Sequence, residues 1–310
     1  MTRETLVVTC RQMQVEIDAH IERLKANGIN VLCPDLTDKQ QFTATELKEY
    51  LPMTAMIAGD DELSRDFLAA AHPDLRVLIR WGIGMDSVDH DAAREFGIIV
   101  KNTPGVFAHE VAESAFGYII DLARGQSFVD RSVRNGRWIK YEGTTLAGSK
   151  IGIIGLGAIG KHIAKLAHGF GMHVYGYDPF VSQSAQVELL DLEKLAQTAQ
   201  FVVVACPLTS DTHHLIDASF LNRMREDAYI INVARGPVVD ESALCTALQS
   251  AEIAGAGLDV FEQEPLPSDS PLRRFENVVL GAHNGSNTRA GVARASAEAV
   301  NILLTELGIE

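Results

Sequence analysis

Three ionisable side chains in the last third of the sequence are of types that could together transfer a proton to a small molecule. Arg235 follows the β-rich run YIINV, Glu264 precedes Pro265, and His283 follows the apolar run NVVLGA. Histidine can supply a proton near neutral pH, because its ordinary pKa is about 6.5. A carboxylate would orient the ring and favour its charged form, and an arginine would grip a substrate carboxylate by a fork of two hydrogen bonds. This set suits hydride reduction of a keto group, which leaves an alkoxide that needs a proton.

Each of the three residues also has a simpler interpretation when it is taken alone. A histidine at a strand end is usually solvated, an arginine before a glycine turn usually lies at the surface, and an acid before a proline is usually a turn residue. The elements that carry them therefore have to decide, because ligands bind beyond the carboxyl ends of the strands in open α/β sheets.

Short apolar runs alternate with helical patterns along the whole chain. The first hundred residues contain TLVVTC, NVLC, AMIAG, RVLIR and GIIV, and a second series comprises KIGIIG, HVYGYD, FVVVAC, YIINV, AGLDV and NVVLGA. Strands separated by helices predict parallel sheets with helices on both faces. The six runs of the second series are the content of one doubly wound nucleotide-binding domain.

Two segments between these series have a different character. HEVAESAFGYIIDLAR carries a double apolar stripe, which predicts a long helix that packs against two surfaces. GQSFVDRSVRNGRWIKYEGTTLAGS is polar and interrupted by glycines, yet it carries Phe128, Trp138 and Tyr141. We interpret it as an extended arm or an irregular connection.

A glycine loop gives the most specific local signal. Gly155, Gly157 and Gly160 form a GxGxxG pattern between an apolar strand and a helix, and the next strand ends at Asp178. The glycines permit a tight turn, close approach to a pyrophosphate and close packing of helix on strand. A carboxylate at Asp178 would bind the adenosine ribose and repel a 2′-phosphate, so the loop predicts NAD as the cofactor rather than NADP.

Composition bounds the possible partners. A chain of 310 residues with 46% hydrophobic residues is typical of a soluble protein of two domains. A formal charge of −14 argues against partners such as nucleic acid or an anionic membrane, and no apolar run is long enough to span a bilayer. Four scattered cysteines favour a reduced, cytoplasmic protein without a metal site.

The motifs taken in order resemble the D-isomer-specific 2-hydroxyacid dehydrogenase family over nearly the full chain, in particular its phosphoglycerate dehydrogenase and hydroxypyruvate reductase-like members. The segments that carry the resemblance are RWGIGMDSVDHDAA, VKNTPGVFAHEVAE, GLGAIG, ACPLTSDTHHLI, INVARGPVVDESAL and LDVFEQEP. The resemblance implies two doubly wound parallel-sheet domains, a Rossmann NAD domain and a flavodoxin-like substrate domain, with a cleft between them. It implies a substrate domain at residues 1–101, an NAD domain at 102–286 and a C-terminal helix at 287–310 that returns to the substrate domain.

The resemblance also implies an enzyme that oxidises a D-2-hydroxy acid with NAD, reversibly. Oxidation of 3-phosphoglycerate competes with reduction of hydroxypyruvate or glyoxylate as the reaction. Members of the family use the polar arm to wrap a partner subunit, so a homodimer is expected, with the apolar face around Phe116 and Ile119 in the interface. An alternative of another class is an NAD(H)-sensing binding protein similar to the C-terminal-binding corepressors.

The site residues follow from the same motifs. The resemblance implies that Arg235 binds the substrate and that His283 is the acid/base. It implies that Glu264 is the partner of the histidine. Ile83 and Gly84 would donate backbone hydrogen bonds to the substrate carboxylate. The implied cofactor contacts are Gly155, Gly157, Ala158, Ile159, Gly160, Asp178, Cys206, Pro207, Thr212, Val233, Ala234, Arg235, Asp259 and His283, with Asp259 on the nicotinamide carboxamide.

Some positions depart from the family pattern. Ala158 stands where many members carry an arginine near the pyrophosphate, Cys206 replaces a frequent histidine, and Ala282 replaces a proline. Arg80 lies just before the substrate loop, where the family recognises the distal part of the substrate, so we expect it to favour a distal phosphate or polar group. Its other interpretation is an ion pair with an acid such as Asp86.

Overall fold

The computed structural model describes residues 4–36 and 41–309. The chain forms two compact units, one made of Met1–Phe107 with Asn287–Glu310 and the other of Ala108–Ser286. The first division lies after Phe107, whereas the sequence suggested residue 101. The extra residues belong to the first unit because Phe107 packs on Trp81 with ring centroids 4.9 Å apart, and Arg294 donates to the Val106 carbonyl.

The first unit is built on a five-stranded parallel sheet in the order β2-β1-β3-β4-β5. Its strands are β1 (Glu4–Val8), β2 (Ile29–Leu32), β3 (Ala55–Ala58), β4 (Val77–Arg80) and β5 (Ile99–Asn102). This is the flavodoxin-like strand order. The helices of its N-terminal segment are α1 (Arg11–Glu16), α2 (Asp18–Ala26), α3 (Ala44–Leu47), α4 (Arg65–Ala71) and α5 (His90–Glu95).

The second unit is built on a seven-stranded parallel sheet in the order β12-β11-β10-β9-β6-β7-β8. Its strands are β6 (Lys150–Ile154), β7 (His173–Tyr177), β8 (Glu188–Leu189), β9 (Phe201–Val204), β10 (Tyr229–Asn232), β11 (Gly255–Leu258) and β12 (Val278–Leu280). The central strands β9 and β11 are buried along their whole length, as their continuous apolar and small residues require in a sheet covered on both faces. The prediction of two doubly wound sheets is confirmed.

Helices cover both sheets. Those of the second unit are α6 (Ala108–Arg124), α7 (Gln126–Arg134), α8 (Ala158–Gly169), α9 (Leu192–Thr198), α10 (Ala218–Arg223) and α11 (Glu241–Gln249), and α12 (Arg289–Glu306) returns to the first unit. Helix α6 buries Phe116 and Ile119 inside its own unit, where Phe116 stacks on Phe170 with ring centroids 5.1 Å apart. These two side chains are therefore not a free interface, contrary to the sequence expectation. Within the described ranges, no helix combines the length and apolarity needed to cross a bilayer.

The strand order of the second unit sets the order of the polar residues along one edge. Running across the sheet, His283 follows β12, Asp259 follows β11, Arg235 follows β10, Cys206 follows β9 and Gly155 follows β6. Since all these strands are parallel, these residues follow the carboxyl ends of five neighbouring strands. This is the edge at which open α/β sheets bind ligands.

Candidate active site

The glycine loop has the close contacts that its pattern predicts. Gly155 has φ +94°, and a Cβ there would lie 2.6 Å from the Cys206 backbone nitrogen. A Cβ at Gly160 would lie 2.0 Å from the Gly155 carbonyl oxygen, so helix α8 packs directly on the turn. A Cβ at Gly157, the residue that caps α8, would meet nothing within 4 Å. The open side of the loop at a helix N-terminus fits a pyrophosphate group.

Asp178 is held rigidly after β7. Its Oδ2 accepts a hydrogen bond from the Leu156 backbone N–H at 2.9 Å, and its Oδ1 accepts one from the Phe180 N–H at 2.9 Å. The first bond ties the carboxylate to the glycine loop. A negative charge fixed there fits the ribose of NAD better than the 2′-phosphate of NADP.

The remaining residues expected at the cofactor differ in how exposed they are. Ala158 is exposed and Ile159 is half-buried on the first turn of α8, and Val233 is buried next to the half-buried Ala234. Burial raises the pKa of the Cys206 thiol to about 11, so this side chain acts as a small apolar wall.

Pro207 and Thr212 form one closed loop after β9. The Thr212 hydroxyl donates to the Pro207 carbonyl at 2.6 Å and accepts from the Thr209 N–H at 2.8 Å. The threonine therefore shapes the loop and its hydroxyl is engaged within it.

His283 and Glu264 form a direct pair. The ring Nδ1 lies 2.7 Å from Glu264 Oε2, and both side chains are about a quarter exposed, at 24% and 23%. Glu264 Oε1 accepts the Phe261 backbone N–H at 3.0 Å, which fixes the carboxylate. Because the Nδ1–H donates to the carboxylate, Nε2 is the nitrogen that would exchange a proton with a ligand. His283 itself has φ +51°.

The loop that carries His283 is held by Asp259. The His283 N–H donates to the Asp259 carbonyl at 2.6 Å, and the carboxylate accepts the N–H groups of Asn284 at 3.1 Å and Gly285 at 2.8 Å. Tyr118 on α6 adds a third donor, with its hydroxyl 2.9 Å from Asp259 Oδ1. Asp259 is only 3% exposed, so this buried charge is stabilised by three hydrogen bonds.

Arg235 lies on a turn that packs against the segment leading to Glu264. The buried Asn232 side chain donates to the Arg235 carbonyl at 2.9 Å and accepts the Ala234 N–H at 3.1 Å. A Cβ at Gly236 would lie 1.8 Å from the Phe261 carbonyl carbon, so only glycine allows these two backbones to touch. The Arg235 guanidinium donates to the Ala234 carbonyl at 2.9 Å and is half-buried.

The predicted substrate residues of the first unit lie on one loop after β4. Ile83 is 45% exposed and its carbonyl accepts the Asn102 side-chain amide at 2.9 Å, while Gly84 is half-buried. Arg80 is buried, with an ion pair to Asp60 rather than to Asp86 and a hydrogen bond to the Trp81 carbonyl. Within residues 4–36 and 41–309, its Nε has no hydrogen-bond partner.

One histidine outside this set has acidic neighbours that the sequence did not reveal. His214 Nε2 lies 2.9 Å from Glu262 Oε1, and Nδ1 lies 3.9 Å from Asp240 Oδ2. Both acids also accept backbone hydrogen bonds. Asp240 caps α11 by accepting the Ala243 N–H, and Glu262 accepts the Glu241 N–H. Ion pairing and capping account for this group of side chains.

The sequence analysis missed Tyr118, Asn232 and Asp60. A signal existed for Tyr118, because Asp259 lies inside an apolar run and a buried acid requires a donor. Ser114 and Tyr118, four residues apart on an apolar helix, were the available polar pair. Asn232 at the end of a buried strand carried a weaker signal of the same kind.

Comparison with known proteins links these features to one family. The model for "D-isomer specific 2-hydroxyacid dehydrogenase, NAD binding domain" matches residues 116–285. A glyoxylate reductase of Korarchaeum cryptofilum is 41% identical over 251 residues, which is 77% of this chain and 75% of that protein. A D-3-phosphoglycerate dehydrogenase of Methanocaldococcus jannaschii is 39% identical over 240 residues, 75% of this chain and 45% of that protein. The crystal structure of the TT0316 protein from Thermus thermophilus superposes with a TM-score of 0.86 at 31% identity, covering 98% of this chain and 97% of that one.

Proposed function

This chain belongs to the D-isomer specific 2-hydroxyacid dehydrogenase family and is an NAD-dependent oxidoreductase of 2-hydroxy acids, and we propose that it reduces short 2-keto acids such as glyoxylate and hydroxypyruvate. The similarity to a glyoxylate reductase supports this substrate range. 3-Phosphoglycerate is the competing substrate, and the corresponding relative is matched over only 45% of its length.

In this proposal His283 is the acid/base and Glu264 is its partner. When bound, NADH would supply the hydride for the substrate carbonyl carbon. His283 Nε2 would give its proton to the carbonyl oxygen. Glu264, 2.7 Å from Nδ1, stabilises the imidazolium and fixes the tautomer that returns after proton loss. In the oxidation direction the neutral ring accepts the hydroxyl proton by the same nitrogen.

The other residues bind and orient. Arg235 would hold a substrate carboxylate by a fork of hydrogen bonds. Ile83 and Gly84 would be backbone hydrogen-bond donors to substrate. The glycine loop and Asp178 would hold the pyrophosphate and ribose of NAD. Asp259 would accept a hydrogen bond from the nicotinamide carboxamide with a lone pair that its three donors leave available.

The single observation that carries the proposal is the contact of His283, which follows β12, with Glu264. The same unit carries the glycine loop, where a Cβ at Gly155 or Gly160 would clash with backbone. The test is oxidation of NADH with a panel of 2-keto acids, followed by the loss of NADH absorbance. His283→Ala should lower kcat by about 100-fold or more while NADH still binds. Full activity of His283→Ala would reject the assignment.

We further propose that the protein acts as a cytoplasmic homodimer, with Met1–Phe107 and the C-terminal helix as substrate domain and Ala108–Ser286 as NAD domain. The support for a dimer is the exposed apolar surface after α6, where Val133 is 44% exposed, Trp138 84% and Tyr141 41%. A cavity of about 260 Å³, walled in part by Phe128 and Tyr141, lies beside them. The support for the compartment is the set of four cysteines, all of them free thiols.

A further inference from the structure

The Arg80–Asp60 ion pair lies at the ends of β3 and β4, and its two side chains differ in solvent exposure. Arg80 ends β4, and Asp60 follows the neighbouring strand β3 by two residues. The Arg80 side chain is 6% exposed, whereas that of Asp60 is 36% exposed. Of this pair, the carboxylate is therefore the group that a molecule at this edge of the sheet would meet.

Arg80 is engaged in supporting its own loop. One terminal nitrogen pairs with Asp60 and the other donates to the Trp81 carbonyl. A Cβ at Gly82, which has φ +128°, would lie 2.7 Å from Arg80 Nη1, so the guanidinium lies directly against the turn. The Gly82 N–H also donates to the Thr103 hydroxyl at 2.8 Å. These contacts fix the backbone that leads to Ile83 and Gly84.

This arrangement has a consequence for substrates. A 2-keto acid held by its carboxylate at Ile83 and Gly84 would carry any further group on its distal carbon towards the neighbouring loops. A distal phosphate would be repelled by the half-exposed Asp60 carboxylate, and the formal charge of −14 adds to the cost of a second anionic group. A distal hydroxyl would donate a hydrogen bond to the same carboxylate.

We propose that Asp60 is a specificity-determining residue that favours 2-keto acids with a neutral, hydrogen-bond-donating distal group over those with a distal phosphate. The inference rests on the proposed reduction of 2-keto acids, and it deepens that proposal by naming hydroxypyruvate-type substrates over their phosphate esters. Arg80 is then a positioning residue beneath the loop, and the distal contact that the sequence suggested for it belongs to its acidic partner.

The test compares three substrates that differ only at the distal end: glyoxylate, hydroxypyruvate and 3-phosphohydroxypyruvate. The unmodified protein should show a kcat/KM for hydroxypyruvate about tenfold or more above that for the phosphate ester. Asp60→Asn should raise kcat/KM for the phosphate ester by about tenfold and lower that for hydroxypyruvate. Glyoxylate has no distal group, so its kcat/KM should change by less than about twofold.

Asp66→Asn is the matched control, because it removes the same charge from α4 in the same unit, where Asp66 is 72% exposed and pairs with Lys48. It should leave all three substrate ratios unchanged. If Asp60→Asn fails to fold because Arg80 loses its charged partner, the double variant Asp60→Asn/Arg80→Met removes the unpaired cation. Loss of Arg80 should lower turnover of all three substrates, but the ratio of kcat/KM for the phosphate ester to kcat/KM for glyoxylate should still exceed that of the unmodified protein.

A preference of the unmodified protein for the phosphate ester would overturn the inference, as would unchanged substrate ratios in folded variants that lack the Asp60 carboxylate. Failure of every protein to turn over glyoxylate with NADH would instead reject the proposed function. The two failures are therefore distinguishable.

Discussion

Removal of the Tyr118 hydroxyl tests whether the hydrogen bond from Tyr118 to Asp259 helps to fix the loop that carries His283. Tyr118→Phe keeps the ring that packs near Gly257 and deletes the hydroxyl, which donates to Asp259 Oδ1 and also has a hydrogen bond with Ser114. A hydrogen bond to a charged group contributes about 1.5–3 kcal/mol, and Asp259 keeps two backbone donors, so we expect a loss of about 1.5 kcal/mol. About 1.4 kcal/mol corresponds to a tenfold change in rate. If the lost hydrogen-bond energy is energy that orients His283 in the transition state, kcat should therefore fall by about tenfold.

The assay is steady-state reduction of a 2-keto acid at several pH values, with unfolding measured by denaturant titration. Burial and the neighbouring Asp259 carboxylate raise the pKa of Tyr118, so its hydroxyl stays protonated through the working range and the defect should not depend on pH. KM for the keto acid should change little, which separates loss of orientation from loss of binding. Tyr175→Phe is the control, because it removes a hydroxyl from β7, four strands from β11. A Tyr118→Phe protein with unchanged kcat and unchanged unfolding free energy would refute this reasoning.

Three further predictions concern the cofactor, the acid/base pair and assembly. Asp178→Ser should raise kcat/KM for NADPH relative to NADH by roughly tenfold or more, since it removes a fixed carboxylate from the place where a 2′-phosphate would lie. Equal use of NADH and NADPH by the unmodified protein would contradict a role for Asp178 in cofactor choice. Glu264→Gln should move the alkaline limb of the pH profile of kcat/KM for reduction to lower pH, because the His283 imidazolium that gives the proton loses its anionic partner. An alkaline limb that does not move would mean that the His283–Glu264 pair is not the proton donor. Sedimentation should give about twice the chain mass of 33.7 kDa at micromolar concentration, and Trp138→Ser should weaken the association; a monomer in the unmodified protein would reject the dimer.

Much of the fold could be predicted from the sequence, because most strands of both parallel sheets are apolar runs that alternate with helices. The exception is β8, a two-residue strand without an apolar run, which the sequence analysis did not find. The polar segment after α6 was harder. It contains α7, which the sequence analysis treated as irregular because the segment is polar and interrupted by glycines. Ser127 N–H donates to Asp121 Oδ1 at 2.7 Å, and Arg134 pairs with Asp130 at 2.8 Å.

The candidate site divides in a similar way. Residues that follow strands, such as Arg235 and His283, could be found because parallel topology brings the ends of neighbouring strands to one edge. The partners of buried charges were missed, because Asp60 and Tyr118 meet Arg80 and Asp259 only through tertiary packing, and only Tyr118 left an indirect signal in the sequence. The sequence therefore suggested Asp86 for Arg80, although the neighbouring strand β3 delivers Asp60 instead.

The touching backbones at Gly236 have a consequence for motion. Because a Cβ at Gly236 would overlap the Phe261 carbonyl carbon, the Arg235 turn and the segment leading to Glu264 have no free volume between them in which to fluctuate independently. Thermal displacements of the two segments should therefore be correlated. The distance between the Arg235 guanidinium and the Glu264 carboxylate should vary less than the position of either group varies. The conformational entropy of aligning these groups is then lost once, when the chain folds, and not again at each encounter with substrate.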